Sequence, residues 1–427
     1  MASAVLFLSA AGLLAIGVPV GISLGLAMIA IAFAFDTTNI GFIAQAMYSG
    51  FESLPLTAIP CFMLAGAVME TGGLSKRLVN VASKMVGNTT GGLGTVTVIA
   101  CLFFGAISGS GPATVAAIGG IMIPYMVNAG YDRTYATGLS AVAGGLGIIM
   151  PPSIPLVIYG VATTTSIGDL FLAGIGPAFI VGAILVLVNI YQSKRLGYFG
   201  NGENFSFREL VKATWDAKWA LLMPLIILGG IYGGIFTPTE AAVVAIFYGI
   251  IVGIYGYKEL TWKGVINIFT KNTSFVGGIL LTFAPAAALG AVLALLGIPT
   301  GLTKFLLGLS SNKIVVLLIV NIFLVFVGMV VDTTAANIIF SPILLTALRP
   351  YGVDPVHFGL LMTINLAIGF VTPPVAGNLF VASGITGIPM DKIVKKALPF
   401  IISMFVALLI ITYIPLTSIG ILRLLGR

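Results

Sequence analysis

The feature that most constrains the fold of this chain is a segment that occurs twice. The run GYDRTYATGLSAVAGGLGIIMPPSIPLVIYG, which begins at Gly130, aligns without a gap with GVDPVHFGLLMTINLAIGFVTPPVAGNLFVA, which begins 222 residues later at Gly352. The same offset places Pro151-Pro152 on Pro373-Pro374. Each copy is an apolar segment broken by helix-disrupting residues, so it is either a duplicated scaffold or one half of a site.

The composition places this repeat in a membrane. Hydrophobic residues make up 59% of the chain and charged residues 8%, whereas an ordinary soluble domain is about a quarter charged. Many apolar segments approach the roughly 20 residues that a transmembrane helix needs. We therefore predict an all-α polytopic membrane protein, almost all of it in or at the lipid bilayer.

The basic residues and the N-terminus fit the same class of protein. The net charge of +7 lies mostly in short connections such as Lys76-Arg77 and Lys194-Arg195, which indicates positive-inside topology and no binding of nucleic acid. The apolar N-terminus lacks a basic region and is too long for a signal peptide. It predicts an uncleaved helix or a tight helical pair.

The repeat continues upstream of the broken segments. The offset of 222 residues brings Ser108-Gly109-Ser110-Gly111 onto Val330-Val331-Asp332-Thr333. Apolar arms that are short for a full span flank the first of these polar clusters, which predicts a re-entrant helical hairpin with the cluster at its tip. The alternative is one full helix with a glycine kink.

These signals divide the chain into two repeat halves. An odd number of membrane crossings between equivalent points predicts that the halves are inverted. The polar segments Asp36–Asn39 and Tyr48–Ser53 indicate an interfacial excursion near the N-terminus. The predicted boundaries are a first half over 1–195, with a hairpin at about 93–128 and a broken helix at about 133–166; an interfacial amphipathic linker over 196–218; and a second half over 219–427, with a hairpin at about 314–349, a broken helix at about 355–386 and a terminal helix.

The chain lacks the convergent groups that a membrane enzyme would need. Its single histidine, His357, follows the Asp354-Pro355 turn, where we expect an interfacial position. Glu240 ends the pattern Thr-Pro-Thr-Glu, which favours a helix-capping role over an ion site. We therefore predict that the protein is not an enzyme.

The hairpin tips and the broken helices point to ion binding. A proline inside a helix frees a backbone carbonyl, which needs a partner in a bilayer. Sodium is a hard cation that accepts carbonyl and hydroxyl oxygens. Asp332 could be a plain helix cap, but oxygen-rich tips beside broken helices in both halves favour two related cation sites. The amides at helix N-termini suit a carboxylate substrate.

Four motifs carry a resemblance to a known family. The runs GAISGSGPATVAAIGGIMIPYM, GLGIIMPPSIPLVIYG, GGIFTPTEAAVVA and GFVTPPVAGNLFVASGI strongly resemble the large membrane subunit of the tripartite ATP-independent periplasmic (TRAP) transporters. The resemblance covers essentially the whole chain. It implies a sodium-driven, elevator-type secondary transporter of the bacterial inner membrane that imports an organic acid.

The resemblance also implies partners, cofactors and a substrate class. The partners are a small four-helix membrane subunit, expected as a separate chain, and a periplasmic substrate-binding protein. The cofactors are sodium ions at two or more sites. Family substrates include sialic acid, C4-dicarboxylates and sugar acids, and the SGSGPATVAAIGGIMIP run lies closest to the sialic acid branch. A stand-alone sodium/anion symporter or exchanger is the alternative function.

Carried onto this sequence, the resemblance implies specific ligands. The two predicted sodium sites differ, because Ser110 is neutral whereas its counterpart Asp332 is charged. The expected residues are Ser108, Ser110, Gly144, Gly147 and Pro151 for the first sodium site; Gly328, Asp332, Thr333, Gly369 and Thr372 for the second; and Ser110, Gly111, Thr333 and Thr334 for the substrate carboxylate.

Overall fold

Every regular element of the described chain is a helix. A computed structural model describes residues 2–35, 38–52, 54–86, 88–200 and 205–426. Among these residues, six helices are long and apolar enough to cross a membrane, or up to eight if each of two sharply bent helix pairs is one span. The predicted polytopic helical architecture is therefore confirmed.

The helices of the first half, up to the linker, begin with the tight N-terminal pair that the sequence predicts. The second half has the same order of hairpin and broken helix. In the first half the helices are Ala2–Ala15, Val20–Ala34, Ile40–Phe51, Ala58–Thr71, Leu74–Val86, Gly92–Ser108, Gly111–Thr114 with a π turn at Val115–Gly119, Gly120–Asn128, Arg133–Ala143, Leu146–Ile149, Ile154–Thr163 and Ile167–Leu196. From the linker onward they are Phe207–Asp216, Lys218–Tyr232, Pro238–Ile251 with a π turn at Val252–Gly256, Trp262–Leu295, Ile298–Leu309, Lys313–Val330, Thr333–Leu348, Pro355–Gly369, Gly377–Thr386, Met390–Tyr413 and Leu416–Leu424.

The first polar cluster is the tip of a helical hairpin and not a kink in one helix. Thr97 Oγ1 donates to Met126 Sδ at 3.4 Å across 29 residues. In a continuous helix those residues would lie about 44 Å apart. Gly109 makes the reversal with φ of 61°, a conformation that glycine adopts without steric cost.

The second hairpin turns at Asp332. The Phe323 and Phe340 rings meet edge to face with centroids 5.5 Å apart, which pairs the two arms. At the open end of the hairpin, the Lys313 ammonium donates to the Gly352 carbonyl at 3.0 Å. The arms Lys313–Val330 and Thr333–Leu348 therefore run antiparallel.

The two broken helices pack in opposite directions. Near the start of the first, Arg133 Nη2 donates to the carbonyl of Thr386 at the end of the second, at 2.8 Å. Near the end of the first, Tyr159 Oη donates to the carbonyl of Pro355 at the start of the second, at 2.7 Å. Copies of one sequence that lie head to tail are inverted repeats, as predicted. In both copies the Pro-Pro peptide bond is cis.

The basic residues distinguish the two ends of the molecule. Lys392, Lys395 and Lys396 follow the end of the second broken helix, and that end lies beside Arg133, at the start of the first. The opposite end, where Lys313 contacts Gly352, has few basic residues. By the positive-inside rule, this distribution favours a cytoplasmic position for the Arg133 end.

The predicted helix-capping role of Glu240 agrees with the structure. Thr237 and Glu240 form a reciprocal capping box, in which the Glu240 carboxylate accepts from the Thr237 amide at 2.8 Å. The linker contains the helix Phe207–Asp216, which meets the next helix at 65° and exposes Phe207, Val211 and Trp215. Such an exposed apolar face is typical of an amphipathic helix at a membrane surface, and the interfacial position of the linker stays a prediction.

His357 corrects one expectation. It is not interfacial but 2% exposed, with Nδ1 at 2.7 Å from Ser418 Oγ and Nε2 at 3.4 Å from the Thr412 carbonyl oxygen. The physical reason is that the helix Leu416–Leu424, at the end of the chain, folds back over it. The spacing of residues in the sequence did not indicate that the last helix covers His357.

The expected interfacial excursion near the N-terminus stays a prediction, and it contains one helix. Ile40–Phe51 is a regular helix, capped by the Asn39 side chain. Asp36, Thr37 and Ser53 lie outside the described residues, as do positions 201–204 of the linker.

Backbone contact between Gly328 and Gly369 generates a first prediction. A Cβ built on Gly369 would collide with the Gly328 backbone, with its carbonyl oxygen at 2.5 Å. We expect Gly369→Ala to lower the melting temperature of the purified protein strongly, since overpacking costs about 1–3 kcal/mol or more. Gly384→Ala, in the same broken helix with no atom within 4 Å of its Cβ, is the control. Equal melting temperatures for the two variants would contradict the close packing.

The bend between Ala58–Thr71 and Leu74–Val86 generates a second prediction. Arg77 Nη1 donates to the Gly73 carbonyl at 2.7 Å and to Glu259 Oε1 at 2.7 Å. The bond to Glu259 lowers the pKa of the Glu259 carboxyl below its usual 4.5. A lowered pKa stabilises the fold above pH 4.5, and the stabilisation is lost as pH falls through the lowered value.

We therefore expect the melting temperature of the wild type to fall more between pH 7 and pH 4 than that of Glu259→Gln. The difference should be small, because a partly exposed ion pair contributes about 1 kcal/mol or less. Thermal melts of both proteins across this range measure it. Parallel pH curves would show that the ion pair does not stabilise the bend.

Candidate functional site

The two hairpin tips meet at one cavity of about 190 Å³. The first tip contributes Ser108, Gly109 and Ser110, and the second contributes Asp332, Thr333 and Thr334. The two tips are far apart in sequence and come from inverted copies. The repeat therefore places its two polar clusters in the lining of the same cavity.

Hydrogen bonds hold the first tip in place. Thr114 Oγ1 donates to the Ser110 carbonyl at 2.7 Å and lies 3.1 Å from Ser108 Oγ. The Gly109 carbonyl accepts from the Ile154 amide, at the break of the first broken helix, at 3.2 Å. The tip is thereby attached to the broken helix of its own half and presents several oxygens in a small volume.

The second tip has a similar attachment and a different charge. The Val375 amide, in the second break, donates to the Met329 carbonyl at 3.0 Å. Asp332 Oδ2 accepts from the Thr334 amide at 2.8 Å as a helix cap, and the residue is exposed to the cavity. A carboxylate oxygen can accept further bonds, so capping leaves Asp332 able to bind a cation.

Glycines let each hairpin approach its broken helix at backbone distance. A Cβ on Gly147 would lie 2.6 Å from the Ser110 carbonyl oxygen. The Gly328 and Gly369 backbones are in contact in the other half. The two junctions bring main-chain oxygens close to the tips, where sodium ligands are expected.

The predicted site residues fall into three groups by their position in the structure. Ser108, Ser110, Asp332, Thr333 and Thr334 line the cavity. Gly147 lies against Ser110 and Thr114, and Gly369 against Gly328. The remaining four predicted residues are placed differently: Gly111 and Gly144 lie together beside Asn378, the ring of Pro151 packs on Gly174, and the hydroxyl of Thr372 donates to the carbonyl of Ile368 at 2.7 Å.

Pro152 lies closer to the first tip than the sequence prediction anticipates. Its carbonyl oxygen would be 2.8 Å from a Cβ on Gly109. Pro151 is the residue that the resemblance implies, but its ring faces Gly174. Choosing between adjacent carbonyls requires coordinates, because both residues have the same sequence signature.

Sequence reasoning missed three polar residues near the tips. Glu70 and Asn272 line the cavity from two other helices, and Asn378 lies beside Gly111. Glu70 and Asn272 have no repeat counterpart that marks them. Asn378 was visible within the GNLFVASGI run, directly after the second Pro-Pro break, where a polar residue in an apolar segment is a usable signal.

The charge of the cavity is one-sided. Of the described residues that line it, Glu70 and Asp332 carry carboxylates and none is lysine, arginine or histidine. Carboxylates raise the energy of an anion and lower that of a cation. Among these lining residues the charges therefore favour a cation over an anion, and an anion would depend on hydroxyls and amides.

Helical inverted repeats around a central cavity are the architecture of a membrane transporter. Solved transporters share this fold. YdaH of Alcanivorax borkumensis superposes with a TM-score of 0.64 at 16% identity, covering 86% of this chain and 85% of that one. MtrF of Neisseria gonorrhoeae superposes with a TM-score of 0.62 at 14% identity, covering 87% and 83%.

Comparison of the sequence identifies the protein family, which the shared fold does not. Residues 7–417 match the family model described as Tripartite ATP-independent periplasmic transporter, DctM component. The chain therefore belongs to the family of large membrane components of TRAP transporters.

Curated relatives extend over most of the chain. The isethionate TRAP transporter permease protein DctMQ of Oleidesulfovibrio alaskensis is 44% identical over 94% of this chain, which spans 63% of that longer relative. The C4-dicarboxylate large permease DctM of Vibrio cholerae is 39% identical, over 98% of this chain and 97% of its own. The sialic acid large permease SiaM of the same organism is 37% identical, over 95% and 94%.

Proposed function

We propose that this chain is the transport subunit of a sodium-coupled importer for an organic acid in a bacterial inner membrane. The proposal rests on one observation above the others: two polar hairpin tips from inverted halves line one cavity. In a member of the TRAP family, that cavity is the natural place for the transported anion.

The charge of the cavity supports sodium coupling. An organic acid that enters it meets Glu70 and Asp332, which repel an anion. Sodium ions on the tip oxygens would neutralise that repulsion and, with the amides at the helix starts, complete the binding site. Binding of cation and anion would then be coupled, because each lowers the energy of the other in the same space.

The proposed mechanism is of the elevator type. The two hairpins and the two broken helices would carry the substrate together across the membrane, against a scaffold that includes the long helices Ile167–Leu196 and Trp262–Leu295. The partners proposed for the cycle are a periplasmic binding protein that delivers the acid and a small membrane subunit that completes the scaffold.

The substrate class is proposed more narrowly from the sequence. The SGSGPATVAAIGGIMIP run makes sialic acid the first candidate. Relatives named for isethionate and C4-dicarboxylates are 44% and 39% identical, and the one named for sialic acid is 37% identical. Overall identity therefore does not favour sialic acid, and all three acids belong in one competition panel.

Reconstitution provides the test. We expect radiolabelled acid to enter proteoliposomes only when the chain, the small subunit, the binding protein and an inward sodium gradient are all present. Omission of sodium, with potassium in its place, is the control for a general ion effect. Sodium-driven uptake by this chain alone would instead identify a stand-alone symporter.

The unequal tips generate a further prediction. Ser110 and Asp332 occupy equivalent repeat positions, but only Asp332 contributes a full charge. We expect Asp332→Asn to raise the sodium concentration for half-maximal uptake about tenfold, since cation affinity depends strongly on the number of charged ligands. Ser110→Ala should raise it less.

The readout is uptake rate against sodium concentration for the two variants and the wild type. Asp332→Asn keeps the shape of the side chain, and its amide oxygen can still accept the hydrogen bond from the Thr334 amide. A shift in the sodium curve would therefore not be explained by loss of the helix cap. Identical sodium curves for the two variants would contradict unequal sites.

A further inference from the structure

Two cavities adjoin at the bend where the linker helix Phe207–Asp216 meets the helix Lys218–Tyr232. One is polar and has a volume of about 580 Å³, and the other is an apolar groove of about 460 Å³. Trp215 and Lys218 line both, so the two lie side by side. The polar cavity is also lined by Lys76, Arg77, Asp216, Trp219, Tyr257 and Glu259.

The apolar groove is open to the outside of the protein. Val211, Leu222 and Leu225 line it and are 50%, 39% and 67% exposed. The two helices meet at 65°. If the apolar second helix enters the bilayer, the linker helix lies nearer to the membrane plane, and the groove opens towards the acyl chains of the lipids.

Contacts between several segments hold the polar cavity in shape. The guanidinium of Arg77 lies over the Tyr257 ring, 3.6 Å from its centroid, and Tyr257 Oη accepts from the Ala220 amide at 3.2 Å. The linker helix is joined to the helix that carries Arg77 by the ion pair of Glu209 with Lys84, at 2.7 Å. The cavity is therefore formed by the packing of these helices.

The charges of the polar cavity leave one ammonium without a carboxylate. Glu259 pairs with Arg77 at 2.7 Å and with Lys76 at 3.6 Å, so two basic groups share one carboxylate. Lys218 has no ion pair among the described residues. Its Nζ lies over two tryptophan rings instead, 4.1 and 5.4 Å from their centroids. Even with Asp216, the lining has three basic and two acidic side chains.

The linker starts at the end of the molecule that the basic residues favour as cytoplasmic. Tyr131 Oη donates to the Phe199 carbonyl at 2.7 Å, and the Asp132 amide donates to Tyr198 Oη at 3.1 Å. These bonds join the chain just before the linker to the residues beside Arg133. The cytoplasmic leaflet has a negative surface potential from its anionic lipids, which attracts basic side chains.

We propose that this bend holds one anionic phospholipid. Its phosphate accepts from the Lys218 ammonium, with Lys76 as a second donor, and one acyl chain lies in the groove along Leu222 and Leu225. Trp215 lies between the two regions, at the level where an amphipathic indole is favoured. A free phosphate would leave the groove uncovered, and an apolar partner helix would leave the basic cavity without a counter-charge. A phospholipid matches both cavities.

The test measures binding of defined lipids to the purified chain in a neutral detergent. Dioleoyl phosphatidylglycerol is titrated while the melting temperature is followed, because a ligand of the folded state stabilises it by mass action. We expect a rise in melting temperature and one retained lipid in native mass spectrometry. Dioleoyl phosphatidylcholine, which has a neutral headgroup, and glycerol 3-phosphate, which has no acyl chain, should each need at least about tenfold more for the same rise.

Two lysines of one region provide the variant and its matched control. Lys218→Gln should raise the phosphatidylglycerol concentration for half of the gain at least about tenfold, since a hydrogen bond to a charged group is lost. Lys212 is an exposed lysine of the linker helix that lines neither cavity, and we expect Lys212→Gln to respond as the wild type does. Lys76→Gln, at a side chain that is 71% exposed, should shift in the same direction and tests the site even if Lys218→Gln does not fold.

The outcomes do not depend on sodium-coupled transport. Equal shifts in Lys218→Gln and Lys212→Gln would indicate general attraction to anionic lipid and overturn the site. An equal response of the wild type to phosphatidylcholine or to glycerol 3-phosphate would also overturn it. Unchanged lipid binding in Lys218→Gln, with loss of a co-purified small subunit, would assign this face to that subunit instead. Weaker phosphatidylglycerol binding in the cavity variants alone supports the phospholipid site.

Discussion

The structure depends on one physical requirement: every backbone polar group at membrane depth needs a partner. The two hairpin tips and the two Pro-Pro breaks interrupt four helices in the interior of the protein. Some backbone groups freed at one interruption bond to groups freed at another. The Gly109 carbonyl accepts a hydrogen bond from the Ile154 amide, and the Met329 carbonyl accepts one from the Val375 amide. Both hairpin tips line one cavity, which is where we propose that ions and substrate bind.

Much of this arrangement could be predicted from the sequence. The offset of 222 residues paired the broken segments, the short arms around Ser110 indicated a hairpin, and Thr-Pro-Thr-Glu indicated the cap at Thr237. These features are local or repeated, so periodicity and turn chemistry are enough to recognise them. Antiparallel packing of the broken helices also followed from counting membrane crossings.

The remainder depends on contacts between distant segments. His357 was expected at an interface because its neighbours form a turn, but the last helix covers it. Glu70 and Asn272 reach the cavity through the packing of helices that lie outside the repeated core. The carbonyl oxygen of Pro152 lies beside Gly109 of the first tip, whereas the resemblance implies its neighbour Pro151. No pattern in a single sequence ranks such neighbours.

The contact between Gly328 and Gly369 has a mechanical consequence. Two backbones that touch with no side chain between them cannot slide or separate without losing packing along the whole crossing, because protein interiors are nearly incompressible. The second hairpin and its broken helix thus behave as a single rigid unit, and the Gly105–Gly147 approach imposes the same on the first pair. Relative movement is therefore easier at the borders of each pair than within it, so the proposed elevator motion would leave these two glycine junctions intact.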